Sequence, residues 1–512
     1  MIMRKVLYRM TDRRMNTMQI MYRSTRNASL RVTASQAVLQ GLAPDGGLFI
    51  PEEIPHYKSD WETLAGQTYQ ETAMQIMSSL LTDYTEEELQ LCIDRAYDSK
   101  FDIPEITRLQ HADGVWYLEL FHGATIAFKD MALSILPHLM TTAAAKNGVQ
   151  DEIVILTATS GDTGKAALAG FADVPGTKII VFYPKGGVSA VQEKQMVTQR
   201  GSNVHVVGIN GNFDDAQSAV KRIFGDPAIR GRMSAAGKRF SSANSINIGR
   251  LVPQIVYYFF AYGQLVKSGR VQPGDSINIT VPTGNFGNIL AAYYAKQMGL
   301  PVKKLVCASN ENKVLVDFFH TGAYDRNRDF RLTSSPSMDI LISSNLERLI
   351  CRICGDNAET TRRLMESLVS SGVYQITDEM KSRLKDFYGA YATETETAQE
   401  IRTVYERSGY VIDTHTAVAS RVSRKYMADT GDHTPMVVAS TASPYKFART
   451  VVCSIRPQLQ SKTDFELIDA LNEVSGVKIP RAIEDIRSAP VLHTTVVDTA
   501  AMGDEVARWL KL

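Results

Sequence analysis

Cysteine is scarce in this chain. Five cysteines among 512 residues are too few and too scattered for a disulfide framework, so a reducing compartment is expected, and the chain reads as cytoplasmic. Cys351 and Cys354 form a lone CxxC. Without a second pair or nearby histidines it fails as a zinc site, two thiols on a helix face fit better, and no metal is expected. Neither sign of charge dominates: the formal net charge is +1. No long basic stripe with interleaved aromatics appears, which argues against nucleic acid as a partner. Long apolar runs are also lacking. The most apolar window, residues 251–266, is interrupted by Gln254 and Gln264. It is short for a membrane span and reads as a buried helix, so no membrane partner is expected.

Acid is nearly absent from the first 26 residues, where Asp12 stands against Arg4, Lys5, Arg9, Arg13, Arg14, Arg23 and Arg26. An Arg-rich, acid-poor leader can be a transit peptide. This one lacks an amphipathic period or a secretory apolar core, so residues 1–21 are expected to be a disordered extension, with Met18 or Met21 as alternative starts.

What is present is an ordinary globular composition, 44% hydrophobic and 22% charged. At this length two or three lobes are expected. Residues 22–100 are turn-rich and then helical, with stacked turn residues at 41–51 and a helix start at Thr85 followed by acids. From residue 115 strands and helices alternate, with strand-like runs at 115–120, 153–156, 178–182, 203–207, 277–281, 302–308 and 436–439. That alternation predicts an α/β fold of open twisted parallel sheets covered by helices. Residues 131–140 read as one helix, 464–483 as another and 491–497 as a late strand.

The chemistry concentrates at Lys129, in an apolar stretch between the strand at 115–120 and the helix at 131. Such a lysine either snorkels to the surface or is buried with a lowered pKa, which makes it a nucleophile. Two strand-to-helix glycine loops accompany it: residues 157–165, with Ser160, Gly161, Asp162, Thr163 and Lys165, and residues 282–288, with Gly284, Asn285, Phe286, Gly287 and Asn288. A glycine loop opening a helix aims free N–H groups and the positive helix end at one point, which suits phosphate. Neither fits a nucleotide fingerprint. In the first, Thr159 and Ala166 occupy positions a Walker loop reserves for Gly and Ser or Thr, and the second lacks GxGxxG spacing. Residues 208–213 mimic the second loop, but Asp214 and Asp215 follow and would repel an anion. No GxSxG surrounds Ser160, which leaves a serine hydrolase without support.

Taken in order, the run 41–48, the box His122, Gly123, Thr125, Ala127, Phe128, Lys129, Asp130, the two loops, Ser245 to Arg250, Asp413 with His415, and Ser440 to Phe447 resemble threonine synthase. That family consists of pyridoxal phosphate enzymes of the tryptophan-synthase-β-like fold (fold type II). The resemblance implies residues 22–100 as an N-terminal domain. It also implies 101–460 as a catalytic core of two lobes, the smaller at about 130–245, and 461–512 as a C-terminal extension. It implies conversion of O-phospho-L-homoserine and water to L-threonine and phosphate, the last step of threonine biosynthesis, by a monomer or homodimer. The rival of the same fold is a phosphohomoserine lyase, or a threonine or serine dehydratase, giving a 2-oxo acid.

By the same resemblance Lys129 forms the Schiff base with the cofactor, and residues 284–288 hold its phosphate. Thr441 meets the pyridine nitrogen, and Asp162 can meet the phenolic oxygen. Ser160, Gly161 and Thr163 would grip the substrate carboxylate. Arg250 with Asn247 would take the substrate phosphate, since an arginine fork suits that geometry, and Lys165 is a second candidate. His122 is expected to order the loop beneath Lys129. The chain departs from the family pattern at Ala124 and Thr414, where proline is usual, and at Ser443, where histidine is common. Those changes bear on substrate fit and leave cofactor binding intact.

Overall fold

The structure, a computed structural model, describes residues 19–57, 60–159 and 161–512. The expected disordered extension therefore falls almost wholly outside the described residues, and so does Ser160. The N-terminal part forms a small antiparallel sheet, with strand Tyr22–Ser24 between Arg31–Val32 and Phe49–Pro51. Four helices follow or interleave: Ala34–Gln40, Trp61–Gly66, Tyr69–Leu80 and Glu86–Ala96. Threonine sets three of their starts. Thr33, Thr68 and Thr85 each cap an N3 amide while Gln36, Glu71 and Glu88 bond back to the cap amide.

Two larger sheets carry the rest. The six-stranded sheet runs Phe387–Tyr391, Val302–Ser309, Ile277–Pro282, Met436–Ser440, Val115–Glu119 and Arg108–Ala112, parallel except for the hairpin at its last edge. The five-stranded sheet, parallel throughout, runs Val496–Asp498, Val204–Asn210, Thr177–Pro184, Glu152–Ala158 and Lys238–Ser241. Its inner strands are buried on both faces, as a helix-covered parallel sheet requires. The apolar window at 251–266 lies inside helix Ile248–Lys267, nearly all of it buried, with no water-facing side to select polar residues. Among the described residues no helix is long and apolar enough to cross a membrane.

Three adjacent strands of the large sheet end on the same side. From Val115–Glu119 the chain passes into the segment bearing Lys129, from Ile277–Pro282 into the glycine loop at 283–288, and from Met436–Ser440 into Thr441 and Ser443. Ligands of open α/β sheets bind outside the carboxyl ends of their strands, and this sheet collects three loops there.

Three expected elements differ from what is observed. The run at 131–140 divides into Asp130–Leu133 and Leu136–Lys146. Pro137 sits in the first turn of the second helix, where it lacks the amide a continuous helix would require. The helix expected at 464–483 is two, Asp464–Ser475 and Arg481–Arg487. Gly476 adopts a left-handed φ of 66° as cap of the first, and Pro480 precedes the second. The late strand is Val496–Asp498, three residues that extend the five-stranded sheet beside Val204–Asn210.

Residues after 460 thus pack into the cores beside both large sheets. Helix Asp464–Ser475 joins the core of the large lobe through Leu467, Ile468 and Leu471, and helix Met502–Leu510 joins that of the small lobe through Met502, Val506 and Leu510. His205 bonds Glu505 at 2.7 Å and stacks on Trp509.

Candidate active site

Lys129 is held by its neighbours on both sides. The Phe128 amide donates to the Thr441 carbonyl at 2.8 Å and the Ser443 amide to the Ile126 carbonyl at 3.0 Å, so the lysine segment is zipped to the loop after Met436–Ser440. Beneath it, the Thr125 amide and hydroxyl both donate to Asp130. A Cβ at Gly123 would lie 2.6 Å from the Asp130 side chain, which is why glycine precedes this turn. The lysine amine donates to Ser337 Oγ at 3.2 Å and stands 3.6 Å from Asp162 Oδ2. Burial, reinforced by the charges of Lys446 and Arg250, lowers its pKa against the opposing pull of Asp162. The lysine is therefore buried, and the snorkelling alternative does not apply.

Asp162 opens helix Asp162–Phe171 after Gly161, whose φ of 135° suits glycine alone. The Thr159 hydroxyl accepts from the amides of Gly161 and Gly164, drawing the loop tight. The Asp162 carboxylate pairs with Lys446 at 3.1 Å and accepts from Gln192 at 2.9 Å and Ser337 at 3.1 Å. Burial opposes its charge, but Lys446 and Lys129 hold it far below the usual carboxylate range. Thr163 lies beside it with a hydroxyl that has no protein partner among the described residues.

The loop at 283–288 turns its carbonyls toward the protein. Ser343 Oγ donates to the Gly284 carbonyl at 2.6 Å, while the amide and side chain of Asn345 both donate to the Asn285 carbonyl. Phe286 takes a left-handed φ of 62° just before helix Gly287–Gln297. The amides of Asn285, Phe286, Gly287 and Asn288 find no protein acceptor among the described residues. Asn288 Oδ1 accepts from Tyr257 and Tyr258, leaving its Nδ2 buried without a partner. Free donors with occupied acceptors, at a helix N-terminus, form an anion cradle. Arg348, wholly buried, fixes this region from behind by bonding Asn345 and the carbonyls of Phe49 and Ile246.

Arg250 lies one turn into helix Ile248–Lys267. Its Nη1 donates to the Ala243 carbonyl at 3.0 Å, its Nε is buried without a partner, and burial lowers its pKa to about 10. Asn247 caps that helix, and its amide is committed to Gly249, Val38 and Ser242. Of the expected pair, then, Arg250 is the one with a free donor. Lys165 is buried and bonded to Gln199, with a pKa lowered to about 8 by burial, partly offset by Asp130. The Thr441 hydroxyl has no protein partner among the described residues.

Sequence reasoning gave no role to three residues that complete this cluster. Ser337 comes from an irregular segment with no period to announce it. His415, within a quoted motif, accepts the Ser337 amide at 3.1 Å. Lys446, also within a quoted motif, has no exposed side-chain surface. His122 is locked between Asp102 and Glu119 at 2.7 and 2.9 Å, below the lysine segment and bonded to neither loop.

Three family models match the chain in succession. They are the threonine synthase N terminus at residues 21–97, pyridoxal-phosphate dependent enzymes at 101–441, and the threonine synthase C-terminal family at 416–492. Threonine synthase of Schizosaccharomyces pombe is 38% identical, the match covering 85% of this chain and 89% of that one. The Homo sapiens protein named threonine synthase-like 1 is also 38% identical over 92% of this chain, which spans only 63% of its length. Pyridoxal-phosphate-bound threonine synthase from Brucella melitensis superposes with a TM-score of 0.84 at 35% identity, covering 96% of this chain and all of that one.

Proposed function

The chain belongs to the threonine synthase family, and from that premise we propose that it converts O-phospho-L-homoserine and water to L-threonine and phosphate as a pyridoxal-phosphate-dependent carbon–oxygen lyase. The observation that carries this is a buried amine with lowered pKa that bonds Ser337, whose backbone lies against Gly284 of the anion cradle, and that feels the charge of a second cationic group, Arg250. The cofactor fits the residues present. The free amides of residues 285–288 and Asn288 Nδ2 suit its phosphate, the unpartnered Thr441 hydroxyl suits the pyridine nitrogen, and Asp162 suits the phenolic oxygen. Once bound, pyridoxal phosphate supplies the electron sink that acidifies protons on the attached carbons.

Lys129 Nζ is the group that takes the proton from Cα of the substrate and then from Cβ, since a lowered pKa keeps it available as a base. Gly161 and Thr163 orient the substrate carboxylate at the helix N-terminus. Arg250 receives the substrate phosphate through its unpartnered Nε edge. Incubation with O-phospho-L-homoserine is expected to yield threonine and inorganic phosphate in equal amounts. Phosphate accompanied by a 2-oxo acid instead would replace this reading with the phosphohomoserine lyase one.

A further inference from the structure

Lys446 lies six residues after the Ser440 strand end, in the short helical turn Pro444–Phe447. Its side chain has no solvent exposure, and its amine has two partners: Asp162 Oδ1 at 3.1 Å and the Thr125 carbonyl at 3.0 Å. The other oxygen of the same carboxylate, Oδ2, faces Lys129 at 3.6 Å. One buried anion is thus shared between two buried lysines, one oxygen each.

We propose that Lys446 is a positioning residue that holds the Asp162 carboxylate paired, so that the amine of Lys129 can release its proton without leaving a buried anion alone. Without Lys446, deprotonating the Lys129 amine would leave the buried Asp162 carboxylate with only the neutral donors Gln192 and Ser337 and no opposite charge beside it. Lys446 removes that obstacle and adds a repelling like charge. Its own charge is kept in place by the Thr125 carbonyl, which belongs to the turn carrying Lys129. Arg250 faces Lys129, His415 and Gln192 face Asp162, and Asp130 and Lys165 face Lys446. His415 accepts the Ser337 amide at Nε2 and bonds Asp413 through Nδ1, so neither ring nitrogen bonds the Asp162 carboxylate as Lys446 does.

The inference rests on the reading of Lys129 as the reacting amine, and its test is independent of turnover. The full-length chain freed of cofactor is methylated with formaldehyde and cyanoborohydride across pH, and modification of Lys129 is followed by peptide mass spectrometry. Lys446→Met is expected to move the Lys129 midpoint up by about one pH unit, so that roughly tenfold less neutral amine is present near pH 8. Lys446→Met combined with Asp162→Asn is expected to return the midpoint close to that of the natural chain. An unchanged Lys129 profile in Lys446→Met, with only a lower unfolding temperature, overturns the proposal and leaves Lys446 structural. Should Lys446→Met fail to fold, the double variant is compared with Asp162→Asn alone. There, with no carboxylate left to be paired, the two midpoints are expected to agree closely, and a midpoint raised by a full unit on loss of Lys446 overturns the proposal by showing that Lys446 acts through its charge alone. Borohydride reduction of the natural chain with pyridoxal phosphate reports separately whether Lys129 is the amine that reacts.

Discussion

The backbone amide of Ser337 donates to Nε2 of His415 at 3.1 Å, and this bond decides which ring nitrogen carries the proton. Nε2 is an acceptor, so Nδ1 is the donor, and it points at the Asp413 carboxylate 2.9 Å away. Asp413 caps helix Thr414–Thr430, and Ser337 reaches Lys129 and Asp162, so the ring ties a rigid helix end to the irregular segment over the lysine.

Replacing that ring breaks both links. His415→Ala is expected to lower stability by about 1–3 kcal/mol, because the buried Asp413 loses a donor and the Ser337 amide an acceptor. Urea denaturation measures it. Ser337→Ala leaves the ring in place and is expected to cost less stability while still altering the surroundings of Lys129.

Gly284 has no room for a side chain. A Cβ there would lie 2.3 Å from the Ser337 carbonyl oxygen, backbone that cannot swing aside. Gly284→Ala is expected to displace either the anion loop or the Ser337 segment at about 1–3 kcal/mol and to weaken pyridoxal phosphate binding at least roughly tenfold. Fluorescence titration of the cofactor-free chain reads the second effect.

Arg250→Ala is expected to raise the KM for O-phospho-L-homoserine roughly thirtyfold, the equivalent of about 2 kcal/mol for a lost buried charge contact. Lys165→Ala is expected to change it less, since that amine is already bonded to Gln199. Steady-state kinetics on both variants separates the two candidates.

His122 gives a pH signature. Burial disfavours its charged ring, but Asp102 and Glu119 on its two nitrogens outweigh that and raise its pKa. The charged ring therefore contributes stability that is fully present below about pH 6.5, the unfolded value, and is lost as pH rises through the folded value. The stability gap between the natural chain and His122→Gln is expected to narrow as denaturation is repeated from pH 6 toward alkaline pH.

The parts of this site legible in the sequence are those that local backbone rules enforce. Gly161, Gly284 and the strands before them stand out because a turn between strand and helix needs small residues at fixed positions. Lys129 stands out because a lysine among apolar neighbours is unusual. Ser337 and Lys446 act only through contacts far along the chain, 208 residues from Lys129 for the first and 321 from Thr125 for the second, which no local pattern encodes. Asn247 shows the opposite failure: its motif position suggested a ligand, whereas its amide is consumed by Val38, Ser242 and Gly249. The late strand read at 491–497 is Val496–Asp498, and its bounds are set by the edge of Val204–Asn210 that pairs with it rather than by any local period.

The most direct measurement for the role of Lys129 is borohydride reduction of the full-length chain loaded with pyridoxal phosphate, followed by peptide mapping. A single pyridoxyl adduct is predicted on Lys129, with Lys129→Ala colourless and unlabelled. Labelling at Lys165 or Lys446 in place of Lys129, or a natural chain that takes up no cofactor, contradicts the account.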